Sequence, residues 1–331
     1  MKIFNRTNAG WLVLVLLVFL GLEGLTSAGI IDPFYEITVV NIFINIILAV
    51  GLNLIVGFSG QLALSHAGFM AIGAYTTGVL LRNMPSVLGF ILSILLGMIL
   101  AGIAALIVGV PTLRLKGDYF AIATLGASEI IRVAILNLPD LTNGAVGISG
   151  IPRIVDWRFA YFVTVFMILI ITNYIRSSPG RATIAIREDE IAAESLGIRT
   201  TYYKNIAFLM GAMSAALAGS IHASYFGVIN PGQFTFNKSI DVLIIVVFGG
   251  IGSVTGSIVA AVLLGLINVY LQSFGALRMI IYALVLILIM IFRPSGLMGD
   301  IEFSLSKLLK RPQDVPGAIE NMEQEKGASN K

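Results

Sequence analysis

The feature that most constrains this chain is a series of apolar blocks, each close to the length that crosses a lipid bilayer. A membrane-spanning helix needs about 20 mostly apolar residues. Only 12% of the residues are charged, whereas soluble domains average roughly 25%, so there is too little polar side chain to cover a globule in water. The sequence therefore predicts an all-α integral membrane protein, a polytopic helical bundle of about ten segments. These segments are residues 11–31, 37–56, 62–81, 86–110, 119–136, 159–175, 206–226, 240–250, 254–271 and 279–292.

The basic residues predict how these segments are oriented, because short cytoplasmic loops of membrane proteins carry an excess of Lys and Arg. Their distribution also explains the pI of about 9.1 without a nucleic-acid partner. It places both chain ends in the cytoplasm, and the Gly-rich stretch 249–256 predicts a break that folds 240–271 into a hairpin or a re-entrant pair. The predicted regions are a cytoplasmic N-terminus (1–10), a transmembrane domain (11–293) with an outer loop (137–158) and a cytoplasmic loop (176–205), and a cytoplasmic tail (294–331) with a disordered end.

The sequence argues against an enzyme and against an ATPase site within the chain. There is no cysteine and there are 2 histidines, too few groups for a converging catalytic site or a metal site. The sequence contains no G-x-x-x-x-G-K-[ST] phosphate-binding loop. We therefore predict a transport subunit without its own ATPase site, and with no catalytic residues, metal or cofactor.

The cytoplasmic loop contains an acidic segment that predicts a short surface helix. Carboxylates at Glu188, Asp189 and Glu190 favour a helix N-terminus, and Gly197 is typical of the residue that follows a helix end. Arg187 precedes Glu190 by one turn, which supports a helix of about ten residues. Taken alone, the segment fits either a connector on the membrane surface or a helix that enters a cleft on another protein.

Polar side chains within the apolar segments are candidates for lining a translocation pathway, because polar groups at membrane depth are tolerated where they face protein or water. Glu129 and Arg132 share a helix face and fit either a polar wall for a zwitterionic substrate or a structural ion pair. The other candidates could instead bond helix to helix, and His66 alone favours simple packing. These candidates lie among glycines and are Asn53, Ser59, Gln61, Ser65 and His66.

Four segments in order along the chain carry a family resemblance: 51–69 (GLNLIVGFSGQLALSHAGF), 115–125 (LKGDYFAIATL), 142–148 (TNGAVGI) and 292–297 (FRPSGL). Together they resemble branched-chain amino acid permeases of the LivM type, which belong to binding-protein-dependent ABC importers. The acidic segment is also similar to the coupling loop of such permeases, whose pattern is Glu-Ala-Ala, three residues, then Gly. Here Ile191 stands at the Glu position, with Glu190 before it. The resemblance assigns ATPase coupling to Arg187, Glu188, Asp189, Glu190, Ala192, Ala193, Glu194 and Gly197.

The resemblance implies a transmembrane permease that imports branched-chain (hydrophobic) L-amino acids through the bacterial inner membrane. It implies a related, LivH-like second permease, two ABC ATPase subunits that bind the ATP, and a periplasmic amino-acid-binding protein. A permease for urea or short-chain amides is an alternative, and an ion-coupled secondary transporter is another that would need embedded carboxylates. The Gly-rich regions 51–68 and 246–257 could mark the halves of an inverted repeat.

Overall fold

A computed structural model of the protein describes residues 6–29, 32–113, 115, 117–271, 284, 287, 291 and 296–299. These residues fall into two units. The first contains helix α1 (Arg6–Ser27), whose side chains Leu12 and Leu17 are exposed. The second unit begins at Pro33 and contains everything described below.

The second unit is a set of helices joined by short connections and one pair of very short strands. Its elements are α2 (Pro33–Asn53) continued by a π-helical turn (Leu54–Phe58), α3 (His66–Asn83), α4 (Val87–Thr112), α5 (Asp118–Leu136), α6 (Pro139–Thr142), β1 (Ile148–Ser149), α7 (Trp157–Arg176), α8 (Ser178–Glu188), α9 (Glu190–Ser195), α10 (Thr200–Phe226), β2 (Val228–Ile229), a 3₁₀ turn (Pro231–Phe234), α11 (Phe236–Gly249) and α12 (Val254–Tyr270).

The core of this unit is the crossing of α3 and α10, where small residues let two backbones touch. A Cβ atom on Gly73 would lie 1.9 Å from the carbonyl oxygen of Ala216, and one on Gly219 would lie 2.0 Å from that of Met70. Close packing of this kind holds helices together in lipid, where apolar burial between helices gives little advantage over contact with lipid tails. Gly73 and Gly219 therefore serve contact between these two helices.

Six described helical segments are long and apolar enough to cross a membrane: α1, α2 with its π-helical turn, α4, α5, α7 and α10. The bent pair of α11 and α12 would make a seventh. A polytopic helical bundle is thus confirmed, but a count of about ten segments is not. The predicted segment 62–81 forms the 18-residue helix α3, which begins only at His66 and is not among these candidates. The predicted segment 279–292 lies outside the described residues, apart from isolated positions.

The Gly-rich stretch 249–256 breaks the helix as the sequence predicts. Helices α11 and α12 are separated by four residues, and the bend between them is 118°. Gly250 and Gly252 have φ angles of 117° and 91°, which residues with a side chain rarely adopt. A Cβ atom on Gly256 would lie 2.2 Å from the carbonyl oxygen of Gly249. Glycine is therefore required both for the turn and for the close approach of its two arms.

Two clusters mark opposite ends of helix α2. At its start, Glu36 accepts hydrogen bonds from Arg153 at 2.8 Å and from the Tyr225 hydroxyl at 3.2 Å. In the chain, β1 lies shortly before Arg153 and β2 lies shortly after Tyr225, and the two strands pair in antiparallel fashion with Ile148 opposite Ile229. We call this the strand end. The other end, where the π-helical turn meets α8, is called the coupling end. The predicted outer loop 137–158 thus meets the segment that follows α10.

Candidate functional site

The coupling segment, residues 187–197, is built from local capping interactions. Asp189 is the N-cap of α9, and its carboxylate accepts hydrogen bonds from the backbone N–H groups of Ile191 and Ala192 at 2.9 and 3.0 Å. At the other end Gly197 has a φ of 81°. The N–H of Ile198 reaches the Ala193 carbonyl at 3.1 Å, which completes a Schellman motif. The predicted roles of the acidic start and of Gly197 in shaping a helix are confirmed.

The expectation of one continuous helix of about ten residues is wrong. The backbone at Asp189 is extended (φ −154°, ψ 106°), so α8 ends at Glu188 and α9 has only 6 residues. Arg187 does not pair with Glu190, because its Nε bonds to Glu188 at 2.9 Å. Glu190 instead accepts a bond from Lys204 of α10 at 2.6 Å, which fastens the coupling segment to a long membrane-crossing helix.

The exposed face of the coupling segment carries two large apolar side chains. Ile191 is 75% exposed and Leu196 is 83% exposed, whereas Ala193 is 3% exposed. Around them lie the exposed residues Glu188 and Glu194. The coupling residues predicted from the sequence are charged residues, two alanines and Gly197. They omit Ile191 and Leu196, although two large apolar residues in an otherwise charged loop are a usable signal.

Arg187 connects the coupling segment to the interior of the bundle. Its Nη1 donates to the carbonyl oxygen of Gly57, in the π-helical turn, at 2.6 Å. A Cβ atom on Gly60 would lie 3.1 Å from Arg187 Cγ, and one on Gly252 would lie 2.8 Å from Arg187 Nη1. The side chain therefore runs between the turn after α2 and the break between α11 and α12, along a surface made of glycine.

Asn53 joins the same two elements from inside the bundle. Its Nδ2 donates to the Ser253 carbonyl and to Ser257 Oγ, both at 2.8 Å, and its Oδ1 accepts from the Gly252 N–H at 2.9 Å. A Cβ atom on Gly57 would lie 1.9 Å from Asn53 Oδ1 and 2.4 Å from the Gly252 nitrogen. We call Asn53, Gly57, Gly60, Arg187 and Gly252 the junction. Short π-helical turns such as the one within it occur frequently at functional sites.

The other predicted pathway residues are only partly drawn together. Ser59 and Gln61 follow the π-helical turn and bond to each other at 2.7 Å. Ser65 and His66 are wholly buried at the start of α3, and their side chains have no hydrogen-bond partner within the described part of the chain. Elsewhere, on α5, Arg132 donates to Glu129 at 2.7 Å. Lining of a pathway by these residues stays a prediction.

A polar cavity of about 300 Å³ lies between α2, α11 and α12 towards the strand end. None of the seven predicted pathway residues is part of its wall. Lys238, in the first turn of α11, donates to Asn45 Oδ1 at 3.0 Å across this space. The cavity is lined by Thr38, Asn41, Ile42, Asn45, Lys238, Gly265, Asn268 and Val269.

A sequence signal for this cavity exists and was missed. Thr38, Asn41 and Asn45 lie at i, i+3 and i+7 and hence on one face of α2, in a helix whose other positions are mostly apolar. The predicted segment 240–250 begins after Lys238, but the structure places this residue in α11. Because the two other walls come from residues about 200 positions away, periodicity along one helix could not show a cavity.

Long apolar helices, glycine-mediated crossings, broken helices and an exposed loop tied into them define a multi-pass membrane permease. The chain belongs to the family described as "Branched-chain amino acid transport system / permease component", which matches residues 34–291.

Named relatives agree with this family over most of the chain. The high-affinity branched-chain amino acid transport system permease protein LivM of Salmonella typhimurium is 38% identical, over 77% of this chain and 68% of the relative. LivM of Escherichia coli is 37% identical over the same shares. The permease protein LivH of Salmonella typhimurium is 26% identical, over 76% of this chain and 90% of its own length. No solved structure matches the chain.

Proposed function

We propose that this chain is the permease subunit of an ATP-driven importer that moves branched-chain (hydrophobic) L-amino acids into the cytoplasm. Family membership and the branched-chain names of LivM, LivH and BraD relatives support the substrate class. The observation that carries the mechanism is the bond from Arg187 to the Gly57 carbonyl, because it ties an exposed loop to the broken helices of the bundle. The protein spans the bacterial inner membrane with both termini in the cytoplasm.

Energy enters through the coupling segment. The chain binds no ATP and holds no cofactor of its own; two separate ABC ATPase subunits bind the nucleotide. The exposed Ile191 and Leu196, surrounded by carboxylates, enter a cleft on an ATPase subunit. When that subunit moves, Lys204 and Arg187 transmit the displacement to α10 and to the junction. Because the three hydrogen bonds of Asn53 and the close glycine contacts hold the junction in one arrangement, the π-helical turn and the α11–α12 break then move together.

The remaining partners are a related, LivH-like permease and a periplasmic amino-acid-binding protein. The likeness of this chain to both LivM and LivH relatives supports a pair of related permeases around one pathway. The binding protein supplies recognition, so the permease pair binds leucine only weakly and releases it readily. About ten segments arranged as an inverted repeat remain part of this proposal, and contact of the two Gly-rich regions through Asn53 and Gly252 is compatible with it.

The alternatives receive less support. An ion-coupled transporter needs carboxylates that are available to an ion at membrane depth, but Glu129 is engaged by Arg132 at 2.7 Å. A urea or short-chain amide permease would share the fold, yet the named relatives above are branched-chain amino acid permeases. An ion-coupled transporter would import its substrate without ATP, and a urea or amide permease would import a different substrate.

A substitution on the exposed face of the coupling segment tests the proposal. In the transporter assembled with its ATPase subunits, Leu196→Asp places a charge in the contact with the ATPase. Co-purification of ATPase with the permease should fall about tenfold, as expected when an apolar anchor is lost. Leu141→Asp is the matched control, because Leu141 is exposed as well but lies in α6, away from the coupling segment. Full retention of the ATPase by Leu196→Asp would contradict the coupling role.

Transport by the isolated chain provides a second test. Reconstituted alone in liposomes, the protein should not concentrate leucine under an ion gradient or with ATP, whereas the complete transporter with its binding protein should do so with ATP. Concentrative uptake by the lone chain would eliminate the ATP-driven mechanism and favour a secondary transporter.

A further inference from the structure

We propose that the polar cavity between α2, α11 and α12 is a transit site for the zwitterionic backbone of an amino acid, with Lys238 beside the carboxylate. This inference rests on the proposed function and names the place where the permease itself meets its cargo. It assigns binding to residues other than the seven that the sequence suggested as pathway lining.

The position of the polar side chains requires an aqueous or protein environment. Polar groups in a membrane-crossing helix face the bundle or a water-filled space rather than lipid. In α2, Thr38, Asn41 and Asn45 form such a stripe, whereas Phe43 and Ile44 on other faces are buried apolar residues. The stripe faces the cavity, so the cavity provides the polar environment that these side chains require.

The lining offers complementary groups to both charges of a zwitterion. An ammonium group has three N–H donors, and the bond from Lys238 to Asn45 uses one, which leaves two for a carboxylate. The amide oxygens of Asn41 and Asn268 can accept from the α-ammonium group of the ligand. Asp241, three residues further along α11, is exposed and interacts electrostatically with Lys238, so the ligand carboxylate competes with it for the same cation.

The size and apolar parts of the cavity favour an aliphatic amino acid. A volume of about 300 Å³ lies at the small end of ligand pockets, which span about 300–1,000 Å³. Ile42 and Val269 provide apolar wall beside the polar groups. Asn268 is exposed, whereas Asn41, Asn45 and Lys238 are half-buried, so a ligand can reach the cavity from outside the chain.

The absence of cysteine from the sequence allows a direct accessibility test. Asn41→Cys and Asn268→Cys are introduced one at a time into the assembled transporter, and the modification rate of this chain by a small water-soluble methanethiosulfonate is measured. Both cysteines should react, and leucine at about ten times its half-protecting concentration should slow the reaction about tenfold. Leucinol, which lacks the carboxylate, should protect less. Leu141→Cys, at an exposed position of α6 outside the candidate membrane spans, is the control and should react at a rate that leucine does not change.

The possible outcomes separate this inference from the proposed function. If the unsubstituted transporter does not import leucine with ATP, the proposed function itself is refuted. If import is normal but leucine does not protect the cysteines, only the transit site is overturned. The same holds if the cysteines do not react because the partner permease covers the cavity. Equal protection by leucinol would overturn the role given to the carboxylate.

Substitution of Lys238 tests the same site independently. Lys238→Met should lower the import rate about tenfold through loss of a charge-assisted hydrogen bond, while Lys238→Arg should retain most of it. Unchanged import in a membrane-inserted Lys238→Met protein would overturn the assignment. If that variant is not inserted, protection of Asn268→Cys still decides the question in the otherwise unsubstituted chain.

Discussion

Asn45 and Asn53 lie about two turns apart on α2, and the molecule uses their amide groups in different ways. Asn53 is wholly buried, and its amide makes three hydrogen bonds to the break between α11 and α12. Asn45 is half-buried and shares its oxygen with Lys238 at the wall of a cavity. At the junction, glycine contacts remove all free space around the amide. Near the strand end, the polar groups of α2 line a cavity and are only half-buried.

The comparison indicates how one membrane helix can be held rigidly at the junction and remain accessible to water or a ligand at the cavity. A buried polar group whose hydrogen bonds are all made holds its neighbours in one arrangement, because breaking any bond leaves an unsatisfied group in a low-dielectric interior. A polar group at an open cavity can exchange partners with water or a ligand. We therefore expect substitutions at the junction to reduce stability and coupling, and substitutions at the cavity to reduce transport with little loss of stability.

The largest effect is expected at the tightest contact of the junction. Gly57→Ala would place a methyl group 1.9 Å from Asn53 Oδ1 and 2.4 Å from the Gly252 nitrogen. The two elements must separate, which should cost about 3 kcal/mol of stability and abolish most ATP-driven import. Thermal unfolding in detergent and leucine uptake in proteoliposomes measure the two effects. Gly126→Ala is the control, since nothing lies within 4 Å of its Cβ position. Equal behaviour of the two variants would show that the junction is not tightly packed.

The next test compares identical substitutions at the two asparagines. Asn53→Leu leaves the half-buried Gly252 N–H without its partner, which should lower stability by about 2 kcal/mol. Asn45→Leu at the half-buried cavity wall should lower stability by less than about 0.5 kcal/mol but reduce leucine import several-fold. Unfolding midpoints and uptake rates should therefore rank the two variants differently. The same loss of stability in both variants would contradict the distinction between the rigid junction and the open cavity.

A smaller effect is expected from the link between the coupling segment and the junction. Arg187→Ala removes the bond to the Gly57 carbonyl, and import should fall about tenfold, as for loss of a charge-assisted hydrogen bond, while ATP hydrolysis continues. The measurement is the ratio of leucine imported to ATP hydrolysed in proteoliposomes. Arg181→Ala is a matched control on α8, because within the described residues the Arg181 side chain bonds only to the nearby Arg176 carbonyl. An unchanged ratio in Arg187→Ala would contradict transmission through this residue.

The smallest effect is expected at the end of the coupling segment. Gly197→Ala has open space for its methyl group, so only the left-handed backbone at φ 81° opposes the change, at a cost of about 1 kcal/mol. Amide hydrogen exchange of α9 should accelerate about fivefold. Glu194→Ala, which keeps the backbone unchanged at a neighbouring exposed position, should leave exchange slow. Unaltered exchange in Gly197→Ala would show that the Schellman motif does not limit opening of α9.

The structure also refines a charge-reversal test of the coupling segment. Glu190 and Glu194 are both acidic, so the sequence suggests replacing both by Lys. Glu190, however, bonds to Lys204 at 2.6 Å, so its reversal would also detach α9 from α10. Glu194→Lys alone changes the charge of the exposed face and leaves that attachment in place.

The sequence by itself determined that the protein lies in lipid and where some of its helices break or end. A low charged fraction and repeated apolar blocks specify a membrane protein, because lipid admits only a backbone whose hydrogen bonds are satisfied internally. Gly250 and Gly252 mark the helix break, and Gly197 marks the end of α9, because caps and turns depend on neighbouring residues.

Only the tertiary structure decided which of these local elements meet. Arg187 finds its partner 130 positions away at Gly57, and the amide of Asn45 finds Lys238 193 positions away. No periodicity connects such pairs, because they are selected by the packing of whole helices, where glycine permits a few close crossings and the remaining gaps become cavities. The coupling route and the polar cavity are consequences of that packing.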